Sequence, residues 1–178
     1  PRSIATKDGI MAFNPPPSAI FMAHSIDKNG GLILLHRLQR SHMRRKPRVV
    51  CLPTAAGKEG DASVNRWSKM GVEHFTRLGA DVQAVPVIDA ESANDLNHAS
   101  AVEDADIVYF SGGDPGYLYR TMKDSLVWQA AQKAWTRGAV YAGCSAGAMI
   151  LGREIPDFRA MGLRSIPAFG LIAAAFVM

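Results

Sequence analysis

This sequence is poor in the features that mark disulfide-stapled, metal-clustered and membrane-spanning chains. Its 178 residues include two cysteines, Cys51 and Cys144, too few for a disulfide scaffold or a tetrahedral metal cluster. Each sits in an apolar run, so a buried free thiol is the expectation for both. Long hydrophobic runs are equally scarce. The longest is Ala168 to Met178, shorter than the roughly 18 residues that span a bilayer, so no membrane association is expected. The start, Pro1 to Asp8, has charges with no apolar core behind them, unlike a secretory signal, and a cytoplasmic protein is the expectation. Repeats and low-complexity tracts are missing, and the one proline cluster is Pro15-Pro16-Pro17. With 48% hydrophobic residues, disorder is not expected; the whole chain, 1–178, reads as a single domain with one sizeable core.

The net charge of +4 raises the question of nucleic acid, but its origin is local. Six of the twenty basic residues, Arg37, Arg40, Arg44, Arg45, Lys46 and Arg48, fall in one window without acids. Outside it, 14 basic residues face 16 acidic ones. No aromatic residue lies between Arg37 and Arg48, whereas a nucleic-acid surface interleaves basic and stacking side chains. The expectation is therefore no nucleic-acid partner, with the window a solvated helix end and linker closed by Pro47.

From residue 48 onward strands and helices alternate. Arg48 to Pro53 is a short apolar run rich in β-formers, and Asp61 to Leu78 carries Val64, Trp67, Val72, Phe75 and Leu78 at helical spacings before Gly79, with a bend conceivable at Gly71. A strand over Val82 to Ile88, a helix over Ser92 to Glu103 and a strand over Ile107 to Phe110 follow. One or two short helices between Gly116 and Arg137, a strand over Ala139 to Ala142 and a helix from Ala146 complete the series. Parallel neighbours need crossover connections, so this order predicts an α/β fold, a three-layer α/β/α sandwich with a mostly parallel sheet. Ligands of such sheets bind beyond the carboxyl ends of the strands, which singles out the loops Pro53 to Gly60, Ser111 to Gly116 and Gly143 to Gly147. The first 47 residues are less legible: Gly31 to His36 reads either as a strand or as the start of a helix running to Met43.

Gly143-Cys144-Ser145-Ala146-Gly147 matches G-x-S-x-G between a strand and a helix, the context of a nucleophile elbow. A strand turning sharply into a helix strains its central residue, and bulk beside it would strike the adjoining elements. The turn lifts the Ser145 hydroxyl into the cleft and sets the Ala146 N–H where an oxyanion would form. The plainer alternative is a glycine-rich turn with a serine N-cap. Cys144 is the stronger nucleophile by chemistry, but it occupies the slot that points into the sheet. The second loop, Ser111-Gly112-Gly113-Asp114-Pro115-Gly116, offers a further backbone donor at Gly113; a tight turn with Asp114 capping the next helix is its plain reading.

Tyr109 to Leu118 together with Ala142 to Met149 resembles the cyanophycinase and aspartyl dipeptidase (peptidase E) family of serine peptidases, within the class I glutamine amidotransferase-like superfamily. Pro47 to Gly57 and Met70 to Phe75 extend the likeness over about residues 47 to 178. The resemblance implies a flavodoxin-like sandwich, Ser145 as nucleophile and Gly113 and Ala146 as oxyanion donors. It further implies hydrolysis of a peptide or isopeptide bond in a small peptide-like substrate through an acyl-enzyme, without metal or cofactor.

The sequence departs from that pattern at three places. The family's catalytic histidine follows the nucleophile, whereas His24, His36, His42, His74 and His98 all precede Ser145; His74 and His98 read as solvated helix residues. The apolar end, Leu171 to Met178, reads as the strand leading to that histidine, so the expectation is a chain truncated at its C-terminus. Glu154 and Asp157 are the candidate triad acids, with an ordinary charged loop as the plain reading. The start has Ala12-Phe13-Asn14-Pro15-Pro16-Pro17-Ser18 where the family has a strand and a glycine-rich loop, so that strand is expected to be altered or lost. Two rival functions stand beside the serine hydrolase: a catalytically silent domain binding a small metabolite or partner, and an amidotransferase using Cys144. Arg153, Arg159 and Arg164 could receive a substrate carboxylate but read as solvated. Trp128 and Trp135 read as core, and a homo-oligomer is left open.

Overall fold

A computed structural model describes residues 21–23, 45–156 and 165–171. The segment Gly31 to Met43, Asp157, and the stretch beyond Leu171 that the sequence reads as a strand running to Met178 lie outside these residues. Among the described residues, five parallel strands form one sheet: β1 (Phe21–Ala23), β2 (Arg48–Leu52), β3 (Asp81–Ala84), β4 (Ile107–Phe110) and β5 (Val140–Gly143), in the order β1-β5-β4-β2-β3. The helices are α1 (Asp61–Arg77), α2 (Leu96–Glu103), α3 (Pro115–Met122), α4 (Leu126–Arg137) and α5 (Ala146–Met149). A two-stranded antiparallel ribbon, β6 (Glu154–Pro156) with β7 (Ser165–Pro167), follows them.

The strands are apolar on both faces because both faces are covered, as parallel sheets require. Alternation sorts their side chains into two cores. Val49, Cys51, Ile107, Tyr109, Val140 and Ala142 meet Phe75 of α1, while Val50, Leu52, Val108, Phe110 and Tyr141 meet the helices of the opposite layer. This is the expected three-layer sandwich. The second core is rich in rings: Phe110 stacks on Tyr141 at 5.1 Å, and Trp135 meets Tyr141 edge-on at 5.2 Å. Trp128 and Trp135 are both buried, so the expectation of core residues is met.

Local chemistry explains where elements stop. β3 ends at Ala84 instead of Ile88 because Pro86 has no N–H to continue the ladder; Val85 still donates to the Cys51 carbonyl at 3.0 Å. The helix expected over Ser92 to Glu103 is divided. Ser92–Asn94 is a single 3₁₀ turn, after which Asp95 turns extended and its carboxylate accepts the Asn97 and His98 N–H groups, starting α2 afresh. Between Gly116 and Arg137 there are two helices, the second capped by Ser125 and closed by Gly138 in the left-handed conformation. Helix α1 continues through Gly71, where a Cβ would lie 2.9 Å from Cys51 Sγ. That glycine lets the helix sit close to the sheet.

Strand β1 pairs Phe21, Met22 and Ala23 with Tyr141, Ala142 and Gly143. The expectation that an N-terminal strand is altered or lost is corrected to this extent: a strand is present and brief, and it lies at the edge of the sheet formed by the described residues. At the opposite end of the strands, Asp106 is buried and takes both guanidinium nitrogens of Arg45, at 2.7 and 3.0 Å, and the Arg48 N–H at 2.7 Å. Arg45 is thus a structural ion-pair partner, because a carboxylate at a strand start needs a compensating charge. None of the described helices is long and apolar enough to cross a membrane.

Candidate active site

Two loops meet at the carboxyl edge of the sheet, after β4 and after β5. The ladder between these strands extends one step, with Cys144 N–H donating to the Phe110 carbonyl at 3.0 Å. The chain then reverses into α5 at Ser145, whose φ of 49° and ψ of −108° make it one of two non-glycine residues with positive φ among those described. Such a conformation costs on the order of 1–3 kcal/mol and persists only where neighbours enforce it. Here they do. The Ser145 carbonyl accepts the Ala148 and Met149 N–H groups, both at 2.9 Å, and the buried Tyr141 hydroxyl donates to the Gly147 carbonyl.

The glycines on either side are dictated by space. A Cβ on Gly143 would lie 2.6 Å from the Gly147 carbonyl group, and one on Gly147 would lie 2.4 Å from the Phe110 oxygen. Both contacts are with backbone, which cannot swing aside. Ser145 is exposed while Cys144, Ala146, Gly147 and Ala148 are buried, so the turn presents one side chain to solvent. Ala146 opens the helix, and a first-turn N–H has no intrahelical acceptor.

The loop after β4 is fixed against the 3₁₀ helix Thr54–Glu59. Gly113 has φ of 142°, a Cβ on it would lie 2.4 Å from the Ala55 oxygen, and the Asp114 N–H donates to that oxygen at 2.8 Å. Asp114 caps α3 through the Tyr117 N–H at 2.9 Å, as its plain reading held. Gly112 faces Ser145: its Cβ position is 3.5 Å from Ser145 Cβ and 3.0 Å from the edge of Trp67. Trp67 entered the sequence reading only as part of an apolar helix stripe. No local signal could have placed it here, because its proximity depends on how α1 lies over the sheet.

Cys144 and Cys51 are buried and neither is in a disulfide, as expected. Burial pushes the Cys51 thiol up to about 12. Tyr109, between their strands on the same face, is likewise raised, chiefly by burial.

Two histidine expectations are corrected. His74 is buried with its ring edge-on to Phe75 at 4.9 Å, because Val64, Gly71, His74 and Phe75 share the inward face of α1. His98 is half-buried, its Nδ1 2.9 Å from the Ser92 carbonyl oxygen, where it ties α2 to the preceding turn. His24, His36 and His42 lie outside the described residues. Glu154 stands exposed on β6, accepting the Ser165 hydroxyl at 2.8 Å across the ribbon. Arg153 is exposed near Gly170, while Arg159 and Arg164, like Asp157, are outside the described residues. No cluster of potential metal ligands occurs among the described residues.

A parallel α/β/α sandwich that holds an exposed, positive-φ serine at its carboxyl edge defines the class. The chain belongs to Peptidase family S51, whose sequence pattern matches residues 22–177. It is 28% identical over 136 residues to the uncharacterized peptidase YgaJ of Bacillus subtilis (strain 168), covering 75% of this chain and 54% of YgaJ. The crystal structure of a peptidase from an acI-B1 Actinobacterium superposes with a TM-score of 0.76 at 32% identity, over 86% of this chain and 64% of that one. A putative peptidase E protein from Listeria monocytogenes EGD-e shares the fold, with a TM-score of 0.62 at 18% identity over 86% and 75% of the two chains. The chain thus spans about half the length of the curated relative it matches.

Proposed function

We propose that this chain is a serine-type peptidase, with the turn at Ser145 a nucleophile elbow. The observation that carries the reading is the enforced backbone at Ser145, which holds one exposed hydroxyl at the carboxyl edge of the sheet. Membership of a peptidase family supports the same chemistry.

In the proposed reaction Ser145 Oγ attacks the carbonyl carbon of a peptide or isopeptide bond and gives its proton to a general base. The charge that develops on the carbonyl oxygen is met by the N–H groups of Ala146 and Gly113. Each such donor contributes on the order of 10² to 10³ in rate. Collapse of the tetrahedral intermediate breaks the C–N bond, and the leaving amine takes the proton back from the base. Water then hydrolyses the ester on Ser145 and regenerates the hydroxyl. Neither described histidine is assigned as the base, since His74 packs into the core and His98 serves a turn. Glu154 and Asp157 are the carboxylates offered for orienting the base. The one that does so is identified by loss of kcat in Glu154→Gln or Asp157→Asn.

The test is labelling by an active-site-directed fluorophosphonate. Labelling of the unmodified chain that disappears in Ser145→Ala and survives in Cys144→Ala is expected. Equal labelling of Ser145→Ala would overturn the assignment. Labelling of Cys144 in place of Ser145 would equally overturn it.

A further inference from the structure

Helix α5 is too short to hold its own shape. It runs for four residues, Ala146–Met149, far fewer than a helix needs to be stable by itself. The N–H groups that follow it are unevenly spent: Ile150 donates to the Ala146 carbonyl and Leu151 to the Ala148 carbonyl, each at 3.2 Å. The Gly147 carbonyl falls between these two acceptors, and the Tyr141 hydroxyl donates to it from β5. That bond joins residues on either side of Ser145, so a side chain of the preceding strand closes the turn on itself.

The donor is anchored by the core. Tyr141 pairs with Phe21 on one side and Val108 on the other. Its ring is fully buried, stacked on Phe110 at 5.1 Å and met edge-on by Trp135 at 5.2 Å. Burial raises the hydroxyl well above its ordinary pKa, so it keeps its proton and remains a donor.

We propose, taking Ser145 as the nucleophile, that Tyr141 is a positioning residue: its hydroxyl clamps the first turn of α5 to the core and thereby fixes where Ser145 Oγ stands. Without the clamp, Gly147 and the Ser145 carbonyl that accepts the Ala148 and Met149 N–H groups can shift together. A misplacement on the order of 1 Å at a reacting atom costs about 100-fold in rate. The plainer role is satisfaction of a buried carbonyl, which would bear on stability alone.

The measurement is the kinetics of fluorophosphonate labelling at Ser145, resolved into the maximal rate, kinact, and the half-saturating concentration, KI. Tyr141→Phe keeps the ring and removes only the donor. Its kinact is expected to fall about tenfold to 100-fold with KI unchanged, because the reagent is bound as before and attacked by a misplaced oxygen. Asp106→Ala, destabilised at the opposite end of the sheet, is the control for lost stability and should keep the unmodified kinact. Phe110→Leu, a second variant in case Tyr141→Phe fails to fold, leaves the hydroxyl in place but removes the ring it stacks on, and should lower kinact by a smaller factor.

An undiminished kinact in folded Tyr141→Phe would overturn the proposal, as would one in Phe110→Leu should that variant alone fold. An equal fall in Asp106→Ala would overturn it too, by assigning the effect to stability. Ser145→Ala reads the nucleophile separately. Labelling that Ser145→Ala abolishes and Tyr141→Phe leaves unchanged refutes the clamp alone, whereas labelling that survives Ser145→Ala refutes the nucleophile and the clamp with it.

Discussion

The two ends of the parallel sheet are built to opposite rules. At the amino ends, Asp106 is buried and saturated, holding Arg45 through both oxygens and the Arg48 N–H besides. At the carboxyl ends the chain is strained at Ser145, stripped of side chains at Gly112, Gly113, Gly143 and Gly147, and leaves the buried Thr54 Oγ without a partner. One end satisfies its polar groups, and the other keeps backbone and hydroxyl groups available. Strain of the second kind needs rigidity of the first, since a strained turn holds its shape only on a fixed sheet.

The comparison can be broken most sharply at Gly147. Gly147→Val places side-chain atoms against the Phe110 backbone, already 2.4 Å from a Cβ. We expect labelling at Ser145 to fall at least about 100-fold, with stability lowered by about 1–3 kcal/mol, the usual cost of overpacking, as read by urea unfolding. Asp106→Ala attacks the other end. Removing the acceptor strands a half-exposed Arg45 and the Arg48 N–H, at a cost of about 1–3 kcal/mol, yet the protein that stays folded should label at Ser145 at an unchanged rate. Equal damage to labelling from both variants would erase the distinction between the ends.

The thiols sharpen the picture from beneath. With burial holding Cys51 protonated up to about 12, and Cys144 buried beside the exposed serine, iodoacetamide at pH 8 should leave both unmodified in the folded chain and alkylate both in urea. Rapid native alkylation of Cys144 would reopen the amidotransferase reading.

The smallest effect concerns Asp89, beyond the end of β3. Hydrogen bonds from the Ser92 hydroxyl and backbone hold its carboxyl below the usual range. A group depressed on folding contributes stability above its unfolded value, about 3.9, and loses that contribution as pH falls through its folded value. Asp89→Asn should therefore flatten the acid limb of a stability–pH curve slightly, without shifting its neutral plateau by more than a few tenths of a kcal/mol, as usual for exposed sites.

What the sequence made legible follows from these physical terms. β2, β4 and β5 are buried on both faces, so their apolar runs announced them, and the spacing Gly143, Ser145, Gly147 carried the steric logic of the turn in the residues themselves. β1 did not announce itself: three residues leave no period to read. His74 reads as solvated because its neighbour Glu73 is, yet it turns inward one position along the same helix. The place of Trp67 beside Gly112 is a tertiary fact, set by how α1 lies on the sheet, and no window of sequence contains it.

Ser145 is held in a backbone conformation that a residue with a side chain rarely adopts, and the proposed nucleophile elbow depends on that strain. Comparing urea unfolding of Ser145→Gly with Ser145→Ala tests this directly, since both lack the hydroxyl and only glycine is at ease at φ of 49° and ψ of −108°. The glycine variant is expected to be more stable than the alanine variant by about 1 kcal/mol, despite its freer unfolded chain. An alanine variant equal to or more stable than the glycine variant would contradict it.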